Sequence, residues 1–282
     1  MSAPAKLAAA LSIAGSDSGG AAGIQADLLT FAACGVYGTT AITALTAQNH
    51  VGISDVHPAP PAFVRAQIQQ VMAYYPITAI KIGMLLKADI IAAVADFIST
   101  DDFRLPVVVD PVMISSSGAM LLEPSAVELL TRRVLPKASL VTPNFDEAAV
   151  LLGQQPETTP IAMEHAAIAL ARLFGVPVLL KGGHFPLDPV LDVLAGPEGV
   201  RARLQSRRVH GVETHGGGCV LSAAITAHLA LGHGLVESVE RGHAFLQRAL
   251  AAPALLKDKK IIRPIVAGWP GEIVRSGFLT KV

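Results

Sequence analysis

Three consecutive glycines stand directly before a cysteine and an apolar, alanine-rich run in the stretch 215–226. Glycines that precede a helix let backbone amides converge on a small anion, and the helix N-terminus adds about half a positive charge. Gly216, Gly217 and Gly218 are therefore candidates to hold a phosphoryl group. The glycines are not followed by the GK[ST] of a Walker A motif, and no GxGxxG follows the first predicted strand. Any phosphate chemistry here belongs to another scheme.

Cys219, which follows these glycines, is one of two cysteines in the chain. A thiol at a helix N-terminus has its ionised form stabilised, so we expect its pKa to lie below the free value of about 8.5. Cys219 is then a candidate general base. Free cysteine is also among the most buried residue types, so a small hydrophobe packed after a flexible loop explains the position equally well.

Polar side chains also follow five predicted strands, at the point where each strand ends: Asp17, Gln48, Asp110, Asn144 and Lys181. In open α/β sheets, ligands bind beyond the carboxyl ends of the strands. A single Asp or Asn after a strand is more often a turn residue or a helix cap. Five such residues together favour a binding site at this edge of the sheet.

The elements that would position these residues alternate along the chain. Apolar, β-branched runs that are typical of strands buried on both faces cover residues 11–15, 40–48, 77–85, 106–113, 139–144 and 177–183. Segments with apolar residues at helical spacing cover residues 22–35, 61–75, 88–100, 125–135, 146–153 and 161–175. This alternation predicts the α/β class, with a mostly parallel sheet and helices on both faces.

The C-terminal third of the chain departs from this alternation. Residues 190–196 and 200–209, joined by a turn at Pro197, predict an antiparallel pair at the edge of the sheet. From Gly216 onward the sequence predicts two more helices and then a tail that contains Trp269. No internal repeat or linker interrupts the chain, so we expect residues 1–282 to form a single domain.

Composition excludes several classes of protein. The chain has 282 residues, 51% of them hydrophobic, and its formal net charge is zero without a dense Lys/Arg block, so we expect no nucleic-acid partner. Arg207, Arg208 and the run 257–260 are interpreted as solvated surface. No apolar run approaches the roughly 20 residues that span a bilayer, so we expect no membrane partner. Two cysteines are too few for a disulfide framework and predict a cytoplasmic protein.

Taken together, several segments resemble the hydroxymethylpyrimidine and phosphomethylpyrimidine kinases of thiamine biosynthesis, which belong to the ribokinase-like superfamily. These segments are residues 15–31, 35–49, 81–85, 108–113, 142–148, 181–184 and 214–225. The resemblance implies a ribokinase-like three-layer sandwich. It also implies ATP- and Mg²⁺-dependent phosphorylation of 4-amino-5-hydroxymethyl-2-methylpyrimidine, then of its monophosphate to the diphosphate. Family members are often homodimers.

The resemblance implies a role for particular residues in holding the pyrimidine. Asp27 and Gln48 match the carboxylate and the amide that hold the aminopyrimidine ring in the family. Such a pairing would reject analogues that lack the polar edge. Gly15 and Val112 would line the same pocket.

A second set of residues matches the nucleotide side of the family's site. Asn144 and Lys181 would bind ATP, Lys181 as a point charge near the phosphates. Glu147 and Asp110 would help to hold the metal, in part through water, as suits Mg²⁺. Cys219 matches the position of the general base and would accept the proton of the hydroxymethyl group or of its phosphate. The amides of residues 216–218 would neutralise charge on the γ-phosphoryl group.

Two departures from the family pattern leave alternatives open. The family usually has threonine at the position of Gly217, and residues 114–119 replace an AKSGD segment, so a lysine near the phosphates is missing. Both departures weaken the expectation for the second phosphorylation more than for the first. A vitamin B6 kinase of the same fold, acting on pyridoxal or pyridoxine, and a non-catalytic pyrimidine-binding descendant are the alternative functions.

Overall fold

A nine-stranded sheet forms the centre of the computed structural model, which describes residues 7–114, 122–183 and 188–262. Its strands are β1 (Ala9–Asp17), β2 (Tyr37–Asn49), β3 (Gly52–Pro58), β4 (Ile77–Ile82), β5 (Val107–Val109), β6 (Leu140–Val141), β7 (Val178–Leu180), β8 (Val190–Gly196) and β9 (Gly199–Ser206). Their spatial order is β3-β2-β1-β4-β5-β6-β7-β8-β9. The strands from β2 to β7 in this order pair in parallel, whereas β3, β8 and β9 pair antiparallel to their neighbours.

Helices cover both faces of this sheet. They are α1 (Gly23–Ala33), α2 (Pro61–Tyr74), α3 (Ala88–Ile98), α4 (Pro124–Arg133), α5 (Phe145–Leu152), α6 (Pro160–Phe174), α7 (Gly217–Ala230) and α8 (Leu235–Ala251). The central strands are buried on both faces because successive residues point to opposite helical layers. Val107 and Val109 of β5 pack in one cluster with Ile91 of α3, while Val108 packs with Leu221 of α7 on the other face.

The predicted α/β class, the mostly parallel sheet with helices on both faces and the antiparallel edge pair β8–β9 are confirmed. Two features were missed. Strand β3 has the sequence GISDVHP, which lacks an apolar run because it is an edge strand with exposed residues. A small hairpin pairs β10 (Ala254–Leu256) with β11 (Lys259–Ile261). It includes the run 257–260, for which the sequence predicts only solvated surface. The tail with Trp269 lies outside the described residues.

Across residues 7–114, 122–183 and 188–262, none of the helices combines the length and the apolar character that a bilayer span requires.

Candidate active site

The ends of the parallel strands open into one cavity of about 1190 Å³. All five polar residues that follow the predicted strands line it: Asp17, Gln48, Asp110, Asn144 and Lys181. Among the other predicted site residues, Gly15, Val112, Glu147, Gly216, Gly217, Gly218 and Cys219 also line the cavity. The sheet therefore brings together, from residues far apart in sequence, nearly the whole predicted set.

Asp27 is the exception among the predicted site residues that the structure describes. It lies on the inner face of α1 and is fully buried. Lys81 Nζ donates to both of its carboxylate oxygens, at 2.9 and 3.0 Å, and Ser12 Oγ donates to one at 2.6 Å. Lys81 itself lines the cavity, whereas Asp27 does not. The contact between Asp27 and a pyrimidine ring stays a prediction.

A second ion pair, Asp110 with Lys181, stands at the ends of β5 and β7. Lys181 Nζ donates to Asp110 Oδ1 at 2.8 Å, and Ser222 of α7 contacts the other oxygen at 3.3 Å. Burial alone would raise the pKa of Asp110, but the ammonium groups of Lys181 and Lys81 hold it below its usual value. Asp110 is therefore a stable anion at neutral pH that can attract a cation.

The N-terminus of α5 is closed by a capping box. Asn144 Oδ1 accepts from the Glu147 amide and Glu147 Oε2 accepts from the Asn144 amide, both at 2.8 Å. Helix capping, the ordinary role of an Asn after a strand, is thus present at a residue that also lines the cavity. Burial raises the pKa of Glu147 to about 7, and the nearby negative charge of Asp110 contributes to the increase while Lys181 opposes it. Glu147 and Asp110 repel each other across the cavity floor, and a cation between them would relieve this repulsion.

The glycine loop leads directly into α7. Gly216 has φ of 83°, and a Cβ at this residue would collide with the Ala21 carbonyl oxygen, so only glycine fits. The amide of Gly217 donates to the Thr214 carbonyl oxygen at 2.9 Å, which leaves it unavailable to an anion. The next two amides, of Gly218 and Cys219, have no acceptor within the helix.

This first turn of α7 abuts the Asp110–Lys181 pair. A Cβ at Gly218 would lie 3.1 Å from Lys181 Nζ and 3.5 Å from Asp110 Oδ2. Helix-end amides and a lysine ammonium therefore face the same point in the cavity, which is an arrangement that binds phosphate.

The expectation that the pKa of Cys219 is lowered is wrong. Burial raises the pKa of the Cys219 thiol to about 11; Lys81 opposes this shift, while the carboxylates of Asp27 and Asp110 add to it. Loss of water around the buried thiolate is the largest cause of this increase, and the two carboxylates add to it. At neutral pH the group is a thiol.

Gln48 lies across the cavity, beside a histidine. Its Nε2 is 2.9 Å from His215 Nε2, and its Oε1 is 3.1 Å from the Thr46 hydroxyl. Asp17 Oδ2 lies 3.7 Å from the same imidazole nitrogen. Burial alone would raise the pKa of Asp17, but hydrogen bonds from His215 and from the amides of neighbouring residues lower it to about 2.

A family model described as phosphomethylpyrimidine kinase matches residues 17–263. This chain belongs to the phosphomethylpyrimidine kinase family. Among curated relatives, the hydroxymethylpyrimidine/phosphomethylpyrimidine kinase of Haemophilus influenzae is 44% identical over 246 residues, which are 86% of this chain and 91% of the relative. The enzyme of that name from Salmonella typhimurium is 44% identical over 256 residues, 91% of this chain and 96% of the relative.

Solved structures of two related kinases share the fold of this family member. The phosphomethylpyrimidine kinase of Clostridium difficile has a TM-score of 0.75 and 37% identity, covering 87% of this chain and 100% of that one. An ADP complex of Bacillus subtilis pyridoxal kinase has a TM-score of 0.82 and 34% identity, covering 92% of this chain and 97% of that one. The ribokinase-like fold and the family implied by the sequence motifs are confirmed.

Three residues of the site were missed from the sequence: Lys81, His215 and Ser222. Lys81 had a signal, since a lysine inside an otherwise apolar strand must be paired when it is buried. His215 stands directly before the glycine loop, but its partner Gln48 lies 167 positions away. Ser222 had no signal, because in the sequence it is one small residue within an apolar helix.

Proposed function

We propose that this chain transfers the γ-phosphoryl group of ATP to the hydroxymethyl group of 4-amino-5-hydroxymethyl-2-methylpyrimidine, and then phosphorylates the monophosphate to the diphosphate. Its curated relatives are named hydroxymethylpyrimidine/phosphomethylpyrimidine kinase, after these two acceptors. One observation carries the proposal: the first turn of α7, with Cys219, shares a cavity with the Asp110–Lys181 pair and with Gln48. Phosphate-binding and ring-binding groups therefore face one space.

On the nucleotide side, Lys181 and the amides of Gly218 and Cys219 would hold the transferred phosphoryl group. Mg²⁺ typically takes one or two carboxylates and completes its coordination with water and phosphate oxygens. Asp110 and Glu147 fit this role because both line the cavity and the charge of Asp110 acts on the Glu147 carboxylate. When bound, Mg²⁺ would neutralise charge on the phosphates.

On the acceptor side, Gln48 would bind the polar edge of the ring and direct the hydroxymethyl oxygen towards the γ-phosphorus. The bond from that oxygen to phosphorus forms as the bond from phosphorus to the ADP oxygen breaks. We assign the departing proton to the Cys219 thiolate. With a pKa of about 11, Cys219 is ionised in about one molecule in 10⁴ at pH 7, so the rate should rise with pH.

Further properties of this kinase follow as proposals. We expect the chain to act as a single domain. We also expect it to lie in the cytoplasm, and its two free cysteines, Cys34 and Cys219, support a reducing compartment. We also expect a homodimer. Exposed apolar side chains on the β2–β3 hairpin and on α2 support it: Leu45, Val51 and Phe63 are 52%, 89% and 60% exposed. Size-exclusion chromatography with light scattering would give the mass of the assembly directly.

The test is ADP production by the purified chain with ATP and Mg²⁺, offered the pyrimidine alcohol, its monophosphate and pyridoxal in parallel. We expect turnover with both pyrimidines and none after chelation of the metal. Turnover with pyridoxal alone would replace this function by that of a vitamin B6 kinase, the activity named for several structural neighbours. Absence of turnover with all three acceptors would favour the non-catalytic binding protein.

A further inference from the structure

The three residues that follow β7 bring Lys181 to the cavity. The Lys181 amide donates to the Pro143 carbonyl oxygen at 2.9 Å. Arg208 Nη1 donates to the Gly183 carbonyl oxygen, also at 2.9 Å. Each end of the segment 181–183 is therefore held by a separate part of the chain.

Gly182, in the middle of this segment, is held by a side chain of β8. Its amide donates to Asp192 Oδ1 at 2.7 Å, in a buried hydrogen bond. The backbone of Gly182 runs so close to β8 that a Cβ would collide with the Leu191 carbonyl oxygen, so only glycine fits. Glycine leaves the backbone more freedom than any other residue does. The carboxylate of Asp192 supplies the constraint that a side chain at position 182 cannot.

The position of Asp192 is unfavourable for a charge. The residue is 6% exposed, and burial raises the pKa of its carboxyl group, while the Gly182 amide, His243 and Lys181 oppose this shift. Asp192 also lines the cavity, where a carboxylate would repel phosphate groups. Its second oxygen lies 3.9 Å from His243 Nε2, which is too far for a hydrogen bond. Among the described residues, the Gly182 amide is thus the hydrogen-bond donor that the structure gives this carboxylate.

We propose that Asp192 is a positioning residue, which holds the Gly182 amide so that the Lys181 ammonium faces the phosphates of the bound nucleotide. The inference rests on the proposed function in one respect, namely that Lys181 binds ATP. A purely electrostatic role predicts the opposite effect, because removing a carboxylate from a phosphate site should tighten binding. Positioning predicts weaker binding when the acceptor is removed, and little change when an uncharged acceptor replaces it.

The experiment measures binding of a non-hydrolysable ATP analogue with Mg²⁺ by calorimetry, without the pyrimidine. Asp192→Asn keeps an oxygen that can accept from the Gly182 amide, and Asp192→Leu is of similar size but has no acceptor. We expect Kd to increase about 5- to 10-fold for Asp192→Leu, the size of one lost hydrogen bond, and less than about 2-fold for Asp192→Asn. In steady-state kinetics, Asp192→Leu should increase KM for ATP by a similar factor and leave KM for the pyrimidine unchanged.

Ile98→Ala is the control for a general loss of stability. Ile98 is buried at the end of α3 and does not line the cavity, so truncating it should lower Tm without changing Kd for the nucleotide. If Asp192→Leu does not fold, Asp192→Ala replaces it, with the same expected direction.

Three results would each overturn the inference: unchanged or tighter binding by Asp192→Leu, equal weakening by Asp192→Leu and Asp192→Asn, or equal weakening by Ile98→Ala. A wild-type chain that binds the nucleotide but does not phosphorylate the pyrimidine would refute the proposed function and leave this inference standing. A wild-type chain that does not bind the nucleotide would refute both.

Discussion

Replacing Glu147 by glutamine should stabilise the protein at alkaline pH while removing a carboxylate that we propose binds the metal. The pKa of Glu147 is raised from 4.5 to about 7 because its carboxylate is buried and faces Asp110. Each pKa unit corresponds to 1.36 kcal/mol, so keeping this group ionised in the folded state costs about 3 kcal/mol. Glutamine carries no charge at any pH and can still accept the capping hydrogen bond from the Asn144 amide.

The pH at which this effect develops follows from the same pKa values. Below pH 4.5 the carboxyl is protonated in both the folded and the unfolded chain, so the penalty is absent. Between 4.5 and about 7 the unfolded chain loses its proton while the folded chain keeps it, and stability falls as the pH rises. We therefore expect Glu147→Gln to exceed the wild type by about 1 kcal/mol at pH 5 and by about 3 kcal/mol at pH 8.

Thermal unfolding of the metal-free protein at the two pH values measures this difference, as an increase in Tm of roughly 5 °C or more at pH 8. Glu157→Gln, on an exposed loop, is the control and should leave Tm unchanged at both pH values. Equal Tm values of Glu147→Gln and wild type at pH 8, or the same increase at pH 5 and pH 8, would refute the reasoning. With saturating substrates, Glu147→Gln should also need more Mg²⁺ than the wild type to reach half of its maximal rate.

Three further substitutions test other parts of the site. Cys219→Ala should lower kcat about 100-fold and abolish the rise of the rate between pH 7 and pH 9, since a lost general base costs about this much. Lys81→Met should destabilise the fold by about 3–5 kcal/mol because it leaves Asp27 buried without its partner, and Lys81→Met combined with Asp27→Leu should recover most of the loss. Gly217→Ala should increase the free energy of unfolding by about 0.5–1 kcal/mol and therefore raise Tm slightly. Gly217 begins α7, and a Cβ there would meet nothing closer than Ile262 at 3.4 Å.

Each of these expectations has a result that contradicts it. A Cys219→Ala variant with unchanged kcat would show that another group, such as the transferred phosphate, takes the proton. Steady-state kinetics across the pH range decides this. A double variant as unstable as Lys81→Met would show that the loss of stability comes from altered packing around the pair and not from the unpaired charge of Asp27. Chemical denaturation measures that difference. A lower Tm for Gly217→Ala would mean that residue 217 does not sit in a helical conformation.

The fold and most of the candidate site could be predicted from the sequence because both depend on local patterns. Parallel strands buried on both faces are apolar throughout, and a polar residue at the end of such a run lies by geometry at the ligand-binding edge. That rule predicts that Asp110, Asn144 and Lys181 lie at one edge of the sheet, and all three line one cavity. Edge strand β3 could not be predicted in this way, because an exposed edge strand needs no apolar run.

What could not be predicted depends on contacts between residues distant in sequence. Asp27 matches the family's ring-binding carboxylate, yet its pairing with Lys81, 54 residues further along, is set by how α1 packs on β1, which lies beside β4. The sequence shows that Cys219 lies at a helix N-terminus, but it does not show the burial and the nearby charges of Lys81, Asp27 and Asp110 that determine the pKa of the thiol. The contact between His215 and Gln48 is of the same kind. Specificity and acidity are therefore properties of the assembled site.

The most direct test of the central claim is mass spectrometry of the products formed from ATP, Mg²⁺ and 4-amino-5-hydroxymethyl-2-methylpyrimidine, with pyridoxal present at equal concentration as a competitor. The account predicts the pyrimidine monophosphate first and its diphosphate later, with little phosphorylated pyridoxal. A monophosphate that never proceeds to the diphosphate would show that the second step is lost in this chain. Preferential phosphorylation of pyridoxal would contradict the assignment of the site to an aminopyrimidine.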